Sequence, residues 1–344
     1  MNSKLYLPSV LLLFIAGTLY SQDEEKPGLK VSGSVDTYYK YDFSGKSQIP
    51  TSFANAQNSF GIGMADLSLS QEVGRASFVG ELAFGPRANQ SAPGPVQNLY
   101  ITYKFSNLFS VTGGFMATYV GYEVISPVPN FNYSTTYLFT NGPFQNGGLK
   151  ANFAFSSKVG LMVGVFNHFD WYDNLNPGTG SANPLSLGAQ LSLVPVDGMN
   201  IYLNLASSKY SGEVYDLTAT YQATQKLKLG LNAANRSNGS LLLKESVLDI
   251  NYTGVAAYIN YSLSNPFALG LRYEYFSDIK GTITGFGIKT SINAITLSGN
   301  INAGPVRLIP EIRFDAGSHD IFTDASNNVT KSATQVLVAA VYSF

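Results

Sequence analysis

The sequence predicts an all-β protein, a transmembrane antiparallel β-barrel of about 16 strands with short periplasmic turns and long external loops. Three observations predict this fold class. The final segment, 335–344, alternates strictly, and its apolar face ends in Tyr342 and Phe344. Charged residues make up only 12% of the chain, whereas aromatic residues make up 13%. Beyond the N-terminal segment, no stretch is apolar over the roughly 18 positions that a membrane-crossing helix requires.

The chain starts with the pattern of a secretory signal peptide. Lys4 is followed by an apolar run from Leu5 to Tyr20, after which Ser21 leads into a polar segment. A basic start, an apolar middle and a small residue at the cut define such signals. We therefore expect residues 1–21 to be removed and residues 22–344 to form the barrel. An uncleaved anchor helix is the alternative.

Charge and cysteine content bear on several classes of function. The formal net charge is −1, so no basic bias favours a nucleic-acid partner. The absence of cysteine rules out disulfide bonds and cysteine-ligated metal sites. We expect no nucleic acid among the partners, and no cofactor.

Strand 1 shows the alternation most clearly. Its lipid-facing positions are Leu29, Val31, Gly33, Val35, Thr37, Tyr39, Tyr41 and Phe43, and its lumen-facing positions are Lys30, Ser32, Ser34, Asp36, Tyr38, Lys40 and Asp42. A period of two residues over this length predicts a strand rather than a helix. A lysine at the bilayer midplane costs roughly 2–4 kcal/mol, so the charged face is expected to point into the lumen.

The same alternation predicts strands 2 to 8. Strands 2 and 3 span about 59–73 and 76–85. The outward residues are Leu99, Ile101, Tyr103 and Phe105 in strand 4, Phe109, Val111 and Phe115 in strand 5, and Leu149, Phe153 and Phe155 in strand 6. They are Val159, Leu161, Val163 and Val165 in strand 7, and Leu185, Leu187, Leu191 and Leu193 in strand 8. Polar residues such as Asn98, Lys104 and Lys150 lie on the opposite faces, which suits a watery lumen.

Strands 9 to 16 complete the barrel. The outward residues are Ile201, Leu203 and Leu205 in strand 9, Tyr215, Leu217 and Tyr221 in strand 10, and Leu227, Leu229 and Leu231 in strand 11. They are Phe267, Leu269, Leu271, Tyr273 and Tyr275 in strand 13, and Leu308, Ile312 and Phe314 in strand 15. Strand 14 spans about 292–303, and strand 16 is the C-terminal segment. Strand 12 is placed between Val247 and Leu263, with a bulge near Thr253 where the alternation slips. Because strands 2, 12 and 14 have weak patterns, counts of about 14 or 18 also fit.

Short and long connections alternate along the chain. Short ones lie at 74–75, 106–107, 156–158, 195–198, 224–226, 264–266 and 304–305. Long ones lie near 44–58, 86–95, 118–146, 169–183, 236–246, 277–291 and 316–331, with a shorter one near 208–212. This alternation is typical of a bacterial barrel with both termini in the periplasm. A soluble β-sandwich or β-helix is the competing fold, but its strands would not keep charge off one face so consistently.

Several segments resemble those of a known family. They are Thr112-Gly-Gly-Phe115, Val120-Gly-Tyr-Glu123, Ser126-Pro127, Asn132-Tyr133-Ser134, Gly142-Pro-Phe144, Gly147-Gly148, Val165-Phe-Asn-His-Phe-Asp170, Leu271-Arg-Tyr-Glu-Tyr-Phe-Ser-Asp278 and Ile309-Pro-Glu-Ile-Arg-Phe-Asp315. Together they resemble the OmpL-like β-barrel porins of the outer membrane, over about residues 29–344. His168-Phe169 departs from the family pattern, where Gly-Trp is expected. The resemblance implies an outer-membrane pore and supplies no catalytic residues.

Charged residues occupy many lumen-facing positions. The cations are Lys30, Lys40, Lys104, Lys150, Lys228, Arg272, Arg307 and Arg313, and the acids are Asp36, Asp42, Glu81, Asp216, Glu274 and Glu311. Eight cations against six acids predict a pore with a weak ion preference. The alternative is a network of ion pairs that fills a closed barrel, although barrels of about sixteen strands leave an aqueous channel.

The longest connection, 118–146, is the candidate for a constriction. It contains seven aromatic rings, Tyr119, Tyr122, Phe131, Tyr133, Tyr137, Phe139 and Phe144. Such rings bury large apolar areas when they pack, so the loop is expected to fold into the barrel and place Glu123 opposite an arginine of the wall. The residues expected at the constriction are Tyr122, Glu123, Tyr133, Tyr137, Arg272, Glu274, Arg307, Glu311 and Arg313. A lid on the outer rim and an extension of the flanking strands are the alternatives.

Other candidate sites are weaker. Asp170 and Asp173 lie in one external loop and could hold Ca²⁺, although acidic and amide residues in loops are usually turn formers. The two histidines, His168 and His319, are expected in external loops without a neighbouring activated serine. We therefore expect no enzyme, and a lipid hydrolase is the least favoured alternative.

The sequence-based hypothesis is an outer-membrane porin of a Gram-negative cell, through which small hydrophilic solutes diffuse passively. Such a porin would contact outer-membrane lipid, and porins of this size suggest a homotrimer by analogy. Tyr342 and Phe344 resemble the C-terminal signal that the barrel-assembly machinery recognises. A substrate-specific channel, for example for sugars, and a non-conducting adhesion or structural barrel remain as alternatives.

Overall fold

The computed structural model describes residues 28–92, 94–167, 169, 185–209, 211–239 and 249–344. Sixteen strands form one closed barrel, in which each strand pairs antiparallel with its neighbours in the chain. The strands are β1 (Lys30–Asp42), β2 (Ser59–Val73), β3 (Ala76–Phe84), β4 (Val96–Lys104), β5 (Phe109–Ala117), β6 (Gln145–Ala154), β7 (Val159–Asn167), β8 (Leu185–Leu193), β9 (Met199–Ser208), β10 (Gly212–Gln222), β11 (Leu227–Ser237), β12 (Tyr252–Ser262), β13 (Phe267–Asp278), β14 (Thr290–Ala303), β15 (Val306–Gly317) and β18 (Ser332–Ser343). The predicted fold class and strand number are confirmed.

Small elements decorate the long connections. The helix α1 (Pro86–Ser91) follows β3, and the helix α2 (Tyr137–Asn141) precedes β6. A two-stranded hairpin, β16 (Phe322–Thr323) and β17 (Val329–Thr330), lies in the last connection. None of these short elements has a periodic signal long enough to be predicted from sequence. No helix among the described residues is long and apolar enough to cross a membrane.

The prediction of a bulge near Thr253 is wrong. The strand β12 begins at Tyr252 and pairs without a register shift with both neighbours. The alternation slips there because the residues just before Tyr252 belong to the connection, not to the strand. The bulges of the barrel lie instead between Val35 and Thr37 and between Glu81 and Leu82.

The outside of the barrel is apolar. Large side chains such as Phe60, Ile101 and Leu149 are 57–85% exposed to the surroundings. A row of five rings, Tyr103, Phe105, Phe109, Phe153 and Phe155, runs across β4 to β6 with centroids 4.9–6.3 Å apart. This row lies beside the short turns, where the aromatic girdle of a membrane barrel is found. We call that end of the barrel the turn rim and the opposite end the loop rim.

The interior is divided into two regions. The lumen-facing side chains of β13, β14, β15, β18 and β1, which we call the anchoring wall, are mostly buried towards the loop rim. The lumen-facing side chains of β4 to β12, which we call the cavity wall, surround open spaces towards the turn rim. Both regions depend on the loop that connects β5 and β6.

Candidate functional site

Loop L3, residues 118–144, connects β5 to β6 and enters the barrel. Four of its rings, Tyr133, Tyr137, Phe139 and Phe144, are at most 8% exposed, and the other three are half-buried. Phe139 and Phe144 pack against Phe53 of the first long loop, with ring centroids 5.0–6.1 Å apart. The rings are therefore sheltered inside the barrel, as their number in the sequence predicts.

Glu123 is the acidic residue of L3, and it binds Arg272 of β13. Nη1 of Arg272 donates to Oε1 of Glu123 over 2.7 Å. The backbone N–H of Thr136, at the start of α2, donates to Oε2 of the same carboxylate over 2.8 Å. Arg272 also donates to the carbonyl of Ser134 over 2.6 Å. One buried ion pair therefore joins two distant parts of L3 to the anchoring wall.

Two wall carboxylates accept hydrogen bonds from the backbone of L3. Glu274 accepts from the N–H groups of Tyr137 and Leu138 over 2.9 and 2.8 Å. These groups are the first N–H donors of α2, which have no partner within the helix. Glu311 accepts from the N–H groups of Tyr133 and Ser134 over 3.0 and 3.3 Å. The anchoring wall thus recognises the fold of the loop and not only its side chains.

Arg313 provides a further attachment of L3 to the anchoring wall. Its Nε donates to Asp315 over 2.7 Å, and its Nη1 donates to the carbonyl of Thr135 over 2.7 Å. The hydroxyl of Tyr137 donates to the same Asp315 over 2.7 Å. Asp36 of β1 accepts from the hydroxyl of Tyr133. Buried charges at this site are paired or hydrogen-bonded, which is what burial of a charge demands.

The tip of L3 descends towards the turn rim. Nη2 of Arg307, near the start of β15, donates to the carbonyls of Pro127 and Asn130 over 2.6 and 3.1 Å. The side-chain amide of Asn300 in β14 donates to the carbonyl of Phe131 over 2.9 Å. Because Arg307 is two residues from the turn at 304–305, L3 follows the anchoring wall along most of the barrel height.

Glycines of the wall make room for L3. A Cβ atom at Gly230 would lie 2.4 Å from Oη of Tyr122, and one at Gly270 would lie 2.3 Å from Cε1 of Phe131. Gly188 has the same relation to Tyr119, and Gly63 and Gly254 meet Tyr133 and Leu138. The alternation pattern alone does not distinguish these lumen-facing glycines from the other glycines of the strands. A glycine at an inward position of a long strand marks close approach of another part of the chain.

An open space lies beside L3. It has a volume of about 670 Å³ and is bounded by β8 to β12, the turn at 223–226 and the flank of L3. Its surface includes Tyr122, stacked on Tyr258 with ring centroids 4.2 Å apart. Burial, followed by the neighbouring charge of Glu123, raises the pKa of Tyr122 to about 12, so its hydroxyl stays neutral. Further cavities of about 530 and 340 Å³ lie along β4 to β8.

The residues expected at a constriction separate into two groups. Tyr122, Glu123 and Arg307 border the 670 Å³ cavity. The residues at most 5% exposed beneath or within L3 are Tyr133, Tyr137, Arg272, Glu274, Glu311 and Arg313. The buried group holds the loop, so it shapes the lumen through the position of L3. Asp170, Asp173 and His168 lie outside the described residues.

The C-terminal residue extends the pairing of β1 with β18, which closes the barrel. Phe344 exchanges two backbone hydrogen bonds with Gly33, of 3.1 and 3.2 Å. Its ring is 61% exposed on the outer surface and lies 6.2 Å from that of Tyr342. Both rings therefore face outward beside the turn rim.

Comparison with solved structures shows the same fold. At 14% sequence identity, the Salmonella typhi OmpF complex with daunomycin has a TM-score of 0.65, covering 92% of this chain and 97% of the other. An anion-selective porin from Comamonas acidovorans has a TM-score of 0.64 at 14% identity, covering 92% and 99%. Pseudomonas putida OprB has a TM-score of 0.65 at 11% identity, covering 92% and 94%. No curated protein matches the chain.

A family model covers nearly the whole described chain. The model described as "Putative beta-barrel porin-2, OmpL-like" matches residues 28–344. This range includes all sixteen barrel strands and L3. Together with the closed barrel and its apolar outer surface, the match places the protein in the outer membrane. The chain belongs to the OmpL-like family of β-barrel porins.

Proposed function

We propose that this porin is a passive channel for small hydrophilic solutes, which move past the cavity wall while L3 occupies the opposite side of the lumen. The observation that carries the proposal is the one-sided attachment of L3. Its hydrogen bonds to Glu274, Glu311 and Arg313 hold it on the anchoring wall. The spaces of about 340–670 Å³ lie along β4 to β12, and Arg307 of β15 reaches the edge of one of them. Passive diffusion of this kind requires no cofactor and no catalytic group.

Planar-bilayer recording of the refolded barrel tests the proposal. Stepwise, ohmic conductance is expected, because an aqueous path through a rigid barrel conducts without gating energy. A liposome-swelling series with sugars of increasing size then measures the size limit and separates a general pore from a substrate-specific channel. A heat-modifiable, correctly folded barrel with no conductance would favour the adhesion or structural alternative.

The proposal includes recognition of the C-terminus during assembly and association into a homotrimer. Exposed rings at Tyr342 and Phe344 support the first point, because they are accessible on the outer surface. Phe344→Ser keeps the chain length but removes the terminal ring, so less assembled barrel is expected in the outer membrane. Phe286→Ser, an exposed ring in an external loop, is the control. Equal surface levels of both variants would contradict a role for Phe344. The homotrimer is tested separately, by cross-linking in membranes, which measures the number of subunits.

A further inference from the structure

Burial changes the charge balance of the lumen. Of the charged residues that alternation assigns to the interior, eight are at most 6% exposed: Lys40, Arg272, Arg313, Asp36, Asp42, Asp216, Glu274 and Glu311. The accessible ones are Lys30, Lys104, Lys150, Lys228, Arg307 and Glu81. Two further inward acids, Asp66 and Glu72, lie on β2, and Glu72 pairs with Lys104 over 2.5 Å. Five cations and three acids therefore remain at the surfaces that water reaches.

The 670 Å³ cavity has more cations than acids among its lining residues. Its charged residues are Lys226, Lys228, Arg307 and Glu123. The carboxylate of Glu123 is already bound by Arg272, so it does not neutralise the lysines. Within the described part of the chain, neither Lys226 nor Lys228 forms an ion pair. The electrostatic potential in this cavity is consequently positive, and low-dielectric walls strengthen such a potential.

A side-chain donor at the same cavity is unsatisfied. Nε of Arg307 is buried and has no partner among the described residues, although Nη2 of this side chain is held by the tip of L3. The contacts with Pro127 and Asn130 fix the guanidinium at the edge of the cavity. The walls also present amides and hydroxyls, including those of Gln225, Thr218 and Thr220. A fixed guanidinium and two unpaired ammonium groups that line the same cavity are suited to an oxyanion.

We propose that the cavity is a binding subsite for small oxyanions, meaning solutes that carry carboxylate or phosphate groups, and that it gives the pore an anion preference. Lys226 and Lys228 attract the anion and Arg307 bounds the cavity as a fixed positive group. The ring of Tyr122, which stacks on the buried ring of Tyr258, forms an apolar surface for the uncharged part of an organic anion. This inference rests on the proposed passive channel.

The test combines two measurements on the native sequence and on a Lys226→Gln, Lys228→Gln double variant. The reversal potential in a KCl gradient reports ion preference. Inorganic phosphate, added at fixed KCl, reports occupation of the subsite through reduction of the chloride current. The control is Lys289→Gln with Lys331→Gln, which removes the same formal charge from exposed positions near the loop rim.

We expect the native pore to prefer chloride, and the double variant to require roughly tenfold more phosphate for half-block, since two exposed charge contacts are lost. The control should behave as the native protein does. A cation-selective or non-selective native pore, or equal block of the double variant, would overturn the inference. If no conductance is seen, the proposed channel fails, and calorimetric titration of the refolded barrel with phosphate still decides whether the subsite exists. Citrate in place of phosphate distinguishes a carboxylate preference.

Discussion

The anchoring wall and the cavity wall are built from the same alternating strands but use their lumen-facing residues differently. On the anchoring wall, residues such as Arg272, Glu274 and Arg313 are at most 1% exposed and bind L3. On the cavity wall, Lys150 and Lys228 remain in contact with open space. The difference shows that an inward charge in a barrel is not automatically a pore charge. Its role depends on whether another part of the chain covers it.

Deletion of residues 124–140 should have the largest effect on this contrast. The deletion removes the tip of L3 and all of α2 except Asn141, so Arg272, Glu274 and Arg313 become exposed to the lumen and both walls become open. Single-channel conductance is expected to rise severalfold, and liposome swelling should admit larger sugars. Unchanged conductance in a heat-modifiable deletion variant would show that L3 lies outside the permeation path.

Glu123→Gln tests the buried ion pair of the anchoring wall. Removing one partner leaves Arg272 buried without its counter-charge, which costs about 3–5 kcal/mol. We expect earlier unfolding in a denaturant series and proteolysis within L3 when the barrel is intact. Lys104→Gln is the matched control on the cavity wall, because the Lys104–Glu72 pair is about half exposed. Such an exposed pair contributes about 0–1 kcal/mol, so equal destabilisation of the two variants would contradict the division between the walls.

Gly230→Ala tests the fit between L3 and the barrel, and its expected effect is the third largest. The added Cβ would lie 2.4 Å from Oη of Tyr122, so the ring must move away from Tyr258. Overpacking of this kind costs about 1–3 kcal/mol. More open-channel noise is expected because the flank of L3 is displaced. Gly80→Ala is the control, since a Cβ there has its nearest neighbour at 3.9 Å, and equal noise in both variants would exclude this role for Gly230.

Ionic strength should give the smallest effect and should act on the cavity wall alone. The Debye length falls from about 10 Å at 0.1 M salt to about 3 Å at 1 M. The chloride preference is therefore expected to decrease as KCl rises, while the unfolding of the barrel changes little because the ion pairs of the anchoring wall are buried. A preference that is independent of salt would place its origin in buried charges instead of Lys226 and Lys228.

Much of the barrel could be predicted because each strand carries its own signal. The alternation of Val31, Val35 and Tyr39 with Asp36 and Lys40 fixes which face meets lipid, and the burial pattern of β1 agrees. The start of β12 could not be located, since apolar residues of the preceding connection imitate strand alternation. The inward position of L3 could be predicted from its aromatic side chains, but the wall residues that bind L3 could not.

The sequence by itself determined the strands, their orientation towards lipid or lumen, the closed antiparallel barrel and the loop that enters it. These features depend on a period of two residues and on the cost of placing charge in hydrocarbon, both of which are local. Only the tertiary structure decided that Glu123 binds Arg272, that Glu274 and Glu311 hold the backbone of L3, and that Lys228 stays accessible. Residues separated by more than a hundred positions form these contacts, so no periodicity can specify them. Burial and pairing of a charge are properties of the packed interior, and they turn a nearly balanced set of inward charges into a buried, hydrogen-bonded support on one side and a cavity with an excess of cations on the other.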